Sequence, residues 1–164
     1  MFILAMILNS LASTYNHQTF DKRIGWKNKS PKQIIICDNS KVEVSHIKKA
    51  IKFWNDHYDE LKTVEIKKDT CEDISNYSKG NIVIMKNKSF SVKQYYAMTY
   101  YDFAKPYMYQ QIDSVRIEVN TAYANNEKMI IHEIGHSIGV LHTNYDETHI
   151  MHMHVVDNEN VRTN

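Results

Sequence analysis

Apolar positions change their period along the chain, and each period predicts an element. Residues 32–37 (Lys-Gln-Ile-Ile-Ile-Cys) form a β-branched run suited to a buried strand. From Val44 to Leu61, the residues Ile47, Ala50, Ile51, Trp54 and Leu61 recur at helical spacing with Lys and Asp opposite them, which predicts a long amphipathic helix. Residues 63–67 alternate as a half-buried strand. Residues 81–85, after the turn signal Gly80, are more continuously apolar and predict a more buried strand. Two further strands are expected at 95–101 and 115–120, with Pro106 in their connection. Asn125 or Asn126 then caps a second helix, whose first turn carries Glu127.

Within that second helix the sequence reads His132-Glu133-Ile134-Gly135-His136-Ser137-Ile138-Gly139-Val140-Leu141-His142. Residues four apart share a helix face, so His132 and His136 can aim at one ion, with Glu133 beside them. Neutral imidazole is a favoured zinc ligand, and a catalytic zinc keeps three protein ligands and one open position. His142 can be the third ligand only if the helix stops before it. Gly139 can adopt the left-handed conformation that stops it. A helix bearing incidental histidines is the bland alternative, but several constrained positions coincide in a chain with only 4 Gly and 9 His.

This segment resembles the signature of the metzincin zinc peptidases, in which H-E-x-x-H-x-x-G-x-x-H is followed by a methionine-containing turn. Thr148-His149-Ile150-Met151-His152 lies where short-linker members such as the matrixins place that turn. The resemblance implies that Met151 forms an apolar floor beneath the ligands, with Met153 as the register alternative. It covers about residues 30–155 and is strong only over 132–151. It implies an α+β, metzincin-like (zincin) domain: a mixed five-stranded twisted sheet, a backing helix and an active-site helix. In that family the strand corresponding to residues 95–101 lies at the sheet edge above the metal, antiparallel to bound peptide. Ala97, Met98 and Thr99 are therefore the candidate substrate contacts, the alternative being an interior strand whose tyrosines are core.

The expected function is a zinc-dependent endopeptidase with one catalytic zinc ion held by His132, His136 and His142. Zinc in such a site polarises a scissile carbonyl and lowers the pKa of a water, whose proton Glu133 takes as general base and passes to the leaving amine. Protein or peptide is the implied substrate. Two alternatives employ the same residues: a zinc-stabilised binding module without peptidase activity, and a zinc hydrolase acting on cell-wall peptide cross-links. Thr143 stands where matrixins usually have Ser, astacins Glu and adamalysins Asp. Met153 occupies the place where some relatives carry a zinc-binding Tyr, so such a ligand is not expected. The calcium and second-zinc loops of matrixins have no counterpart between Met98 and Asn120. His149, His152 and His154 are candidates for a further metal, although such histidines are usually solvated, as are His17, His46 and His57.

Composition adds boundaries to this picture. A chain of 164 residues with 43% hydrophobic and 24% charged residues suits one globular domain. A net charge of +1 with dispersed lysines argues against a nucleic-acid partner. Residues 1–15 are apolar but too short to span a bilayer, so no stable membrane insertion is expected. They are a candidate signal peptide, with small residues Ser10 and Ala12 but no Lys or Arg, or else an apolar strand or helix packed on the domain, or the result of a start codon set inside a longer reading frame. Residues 16–164 then form a single catalytic domain with a short C-terminus, expected to be a monomer, and secretion is left open. No inhibitory propeptide cysteine of the kind many relatives carry is recognisable. Cys37 and Cys71 are free buried thiols on one reading. On the other they form a disulfide, because adjacent parallel strands would bring their ends together.

Overall fold

The computed structural model describes residues 24–73, 79–88, 95–104, 111–144 and 147–153. The expectations for residues 1–15, His17, Pro106 and His154 lie outside the described residues. The elements in order are β1 (Gly25–Trp26), β2 (Gln33–Cys37), α1 (Val44–Asn55), β3 (Glu65–Asp69), β4 (Asn81–Lys86), β5 (Ala97–Phe103), β6 (Gln111–Val119) and α2 (Glu127–Ser137). Short 3-10 turns occupy Asp38–Ser40 and Thr121–Tyr123.

The sheet is mixed. Strands β3, β2, β4 and β6 lie side by side and parallel, and β5 returns antiparallel along β6. Parallel neighbours need crossovers, and the chain supplies α1 between β2 and β3. Among the described residues the sheet has six strands and not the expected five, because Gly25–Trp26 pairs in parallel with Gln111–Ile112. Two residues carry no periodicity, so this strand is set by its partner alone.

The inner face contributes Ile34, Ile36, Ile82, Ile84, Val115, Ile117 and Val119 to a core closed by Ile47, Ala50 and Trp54 of α1 and Met129, Ile130 and Ile134 of α2. Ile35, Cys37, Val83 and Met85 alternate with the inner residues and form a second cluster with Cys71. Two-sided burial explains the continuous apolar runs of β2 and β4.

Several boundaries differ from expectation. The first helix stops at Asn55, not near Leu61. The Trp54 carbonyl accepts from both His57 N and Tyr58 N, and Leu61 reaches the core from the turns that follow. Strand β3 begins at Glu65, because Val64 is held in a turn by the Leu61 carbonyl and the register with β2 runs from Gln33↔Glu65 to Cys37↔Asp69. Strand β6 starts at Gln111, since pairing with β1 and β5 extends it beyond its apolar alternation.

That register decides the cysteine question. Cys37 ends β2 opposite Asp69 of β3, and Cys71 follows two residues on, so the Cα atoms lie 5.4 Å apart and the two form a disulfide. No helix among the described residues is long and apolar enough to cross a membrane.

Candidate metal centre

Helix α2 is capped by the Asn126 side chain, which accepts from Met129 N at 3.0 Å, and its axis carries His132, Glu133 and His136 under the sheet edge. The helix ends as a Schellman motif, with Gly139 N donating to His136 O at 2.7 Å and Val140 N to Gly135 O at 3.1 Å. Gly139 has φ +92°, and a Cβ there would lie 2.0 Å from Ile24 O. Glycine is thus required twice over, by backbone conformation and by the approach of the segment leading into β1. Trp26 braces the same end, its Nε1 donating to Ser137 O at 3.0 Å.

The turn brings His142 back to the helix. His132 Nε2 lies 3.0 Å from His136 Nε2 and 3.1 Å from His142 Nε2, and the third side of the triangle is 2.9 Å. The Nδ1 atom of His132 lies 2.7 Å from Ile150 O, and that of His136 lies 2.8 Å from Val140 O. A carbonyl oxygen can only accept, so each Nδ1 carries the proton and each Nε2 of these neutral rings presents a lone pair. The His132 and His136 lone pairs face one another and cannot bond to each other; a cation shared with His142 would satisfy them. Tetrahedral coordination at a zinc–nitrogen distance of about 2.0–2.1 Å spaces donors about 3.3 Å apart, close to the observed triangle. The carbonyl partners are the outer contacts that orient such ligands.

Electrostatics favour the same state. Burial, then the charge of His136, pushes the His132 imidazole down to about 3. Burial, then His142, pushes His136 down to about 4. His142, at the exposed rim, is also lowered, by burial and then by His152. Glu133 lies beside the triangle, only 7% exposed. Burial raises its carboxyl to about 7, against the Thr99 hydroxyl, which donates to Oε2 at 2.5 Å. Tyr101, two residues along β5 on the same face, donates to His136 O at 2.8 Å. Burial and the nearby Glu133 raise its phenol well above the usual tyrosine value.

Met151 is fully buried and its sulfur packs toward Gly135, whereas Met153 is 54% exposed. The Met151 backbone is fixed at both ends, its N donating to His149 Nδ1 at 3.0 Å and its O accepting from Thr143 N at 3.0 Å. His149 therefore ties the turn. Among the described residues, His132, His136 and His142 are the group placed to hold a metal, and His149 and His152 are not gathered into another.

Among the described residues strand β5 pairs only with β6, and no described strand lies along its other edge, called here the open edge. Tyr96 O accepts from Asn120 N at 2.9 Å, which places Tyr96, Met98 and Tyr100 in the pairs that turn their backbone groups toward β6. Ala97, Thr99 and Tyr101 turn theirs to the open edge. Of the three candidate substrate contacts, Ala97 and Thr99 offer backbone groups there, while Met98 commits its own to the sheet and leaves an exposed side chain.

Sequence reasoning missed the Thr99 and Tyr101 side-chain contacts, the bracing by Ile24 and Trp26, and the need for glycine at 135. A signal existed for the first, since Thr99 and Tyr101 share one face of a strand.

A buried carboxylate beside three convergent neutral imidazoles, at the end of a helix under an open strand edge, defines a metal-dependent hydrolase. The sequence model of the family described as dual-action HEIGH metallo-peptidase matches residues 9–159, and the chain belongs to that family. His132-Glu133-Ile134-Gly135-His136 spells the family's HEIGH segment. No curated protein and no solved structure shows a significant match to the chain.

Proposed function

We propose that the chain is a zinc-dependent endopeptidase whose general base is Glu133. The observation that carries this reading is the convergence of the His132, His136 and His142 Nε2 atoms within 3.1 Å of one another, beside a buried carboxylate. Zinc bound there would supply a Lewis acid for the scissile carbonyl and acidify a water. Glu133 takes the water's proton and returns it to the leaving amine. A carboxylate beside the three imidazoles can take one proton from a water and release it again, as both transfers require.

An extended peptide seats itself on the open edge of β5, pairing with the outward backbone groups of Ala97 and Thr99. The exposed Met98 side chain lies on the opposite sheet face from Thr99 and flanks this strand. Met151 serves as the apolar floor beneath the ligands. The short connection from His142 to Met151 supports a matrixin-like arrangement of the turn. The Cys37–Cys71 disulfide supports maturation in an oxidising compartment.

The test is cleavage of a denatured, dye-labelled protein by the purified chain, with zinc content measured on the same sample. Cleavage with near-stoichiometric zinc, abolished by chelator and by Glu133→Ala, is the expected result. A folded chain that binds no zinc would overturn the proposal.

A further inference from the structure

We propose that Thr99 is the positioning residue for Glu133, and that it ties the placement of the base to the strand on which substrate is seated. The inference rests on the peptidase reading above and adds a residue to it. Thr99 is 34 residues from Glu133 in sequence, yet its Oγ1 lies 2.5 Å from Glu133 Oε2 and 3.5 Å from the Glu133 carbonyl oxygen. A carboxylate can only accept, so the hydroxyl donates and one oxygen of the base is occupied. The other oxygen is left for the water.

The same residue faces two ways. Its side chain points from β5 into the space against α2, while its N–H and C=O point along the plane of the sheet to the open edge. A peptide paired with that edge and the carboxylate that must act on it are therefore held by adjacent atoms of one residue. Tyr101 reinforces the registry by bonding the His136 carbonyl from the next position on the same face. Catalysis is sensitive to such placement, because an error of about 1 Å in a reacting group costs about 100-fold in rate.

The isosteric substitution Thr99→Val removes only the hydroxyl and suits a strand. It is expected to keep zinc content and KM close to wild type in a folded protein, with a modest fall in unfolding midpoint as the buried carboxyl loses its donor, while kcat falls about 10- to 100-fold. Thr99→Ser, which restores the donor, should return kcat to within about threefold of wild type. Wild-type kcat in Thr99→Val, a loss confined to KM, or a serine variant as slow as the valine one would each overturn the proposal.

Absence of cleavage by the wild type on every protein tried would count against the peptidase reading instead. Crystal structures of the zinc-loaded wild type and Thr99→Val then decide the role of Thr99. A Glu133 carboxylate displaced only in the variant supports it. A carboxylate in the same place in both, or a wild-type Thr99 hydroxyl beyond hydrogen-bond reach, overturns it.

Discussion

Trp54 of α1 lies so close to Gly135 of α2 that a Cβ at position 135 would sit 2.3 Å from its Cζ2 atom. The same Cβ would be 2.8 Å from the Met151 sulfur. The indole is anchored, with Nε1 donating to Ile131 O at 2.7 Å, so it cannot move aside cheaply. Gly135 is thus the contact through which the backing helix α1, the histidine-bearing helix α2 and the turn at Met151 meet. Gly135→Ala is expected to cost about 2 kcal/mol or more through overpacking, and to weaken zinc binding by displacing Met151. Denaturant unfolding and zinc titration of the variant check both effects. An alanine variant as stable as wild type would show that the helices separate freely.

Glu133→Gln should separate binding from turnover. In the proposed mechanism the side chain carries protons, and it is not among the three convergent histidines. Zinc content should stay near wild type while kcat falls by about 100-fold or more. Metal analysis and initial rates on one preparation check this, and loss of zinc together with activity would reassign the residue as a ligand. His136→Ala should lose both.

The metal-free protein should be acid-sensitive at mild pH. His132 and His136 sit at about 3 and about 4 in the fold, lowered first by burial. The unfolded chain takes up these protons near about 6.5. Their contribution is therefore complete above that value and is lost as pH falls through the folded values. Glu133, raised to about 7, works in the opposite sense: its contribution is complete below about 4.5 and is lost as pH rises through 7. Between about 6.5 and 4.5 two imidazoles oppose one carboxyl, so stability in chelator should decline as pH falls. In metal-free Glu133→Gln the decline should be steeper. Urea midpoints across this range check the sign, and a flat profile would contradict the buried neutral imidazoles.

Loss of the disulfide should weaken the fold without dismantling the site. Cys37 and Cys71 close a loop with a sequence separation of 34, and for a loop of that size the chain-entropy estimate is about 4 kcal/mol. The bond joins β2 to β3, on the opposite side of the sheet from β5. The double substitution Cys37→Ala with Cys71→Ala should lower stability by about 2–4 kcal/mol. Its folded fraction should bind zinc as wild type does. Loss of zinc affinity in a demonstrably folded double variant would place the disulfide in the site's support.

Much of the histidine cluster was legible in the sequence because it is local. His132 and His136 lie four residues apart on one helix, with Glu133 between them, where the 3.6-residue period alone dictates which side chains share a face. Gly139 was legible for the same reason, since ending a helix is a property of one residue's backbone. The runs of β2 and β4 carried their burial in their composition, and the structure divides it between two faces.

Tertiary structure decided what depends on partners distant in the chain. Thr99 meets Glu133 only because β5 turns back along β6 and crosses α2, a path that no local pattern encodes. Gly135 reads as an arbitrary position between two ligands until Trp54 is packed against it. The choice between free thiols and a disulfide waited on the register of β2 with β3, which brings Cys37 and Cys71 into reach. The early end of α1 had the same origin, since Leu61 is as well buried from a turn as from a helix. Periodicity records what each segment must bury, and long-range packing selects which buried groups touch.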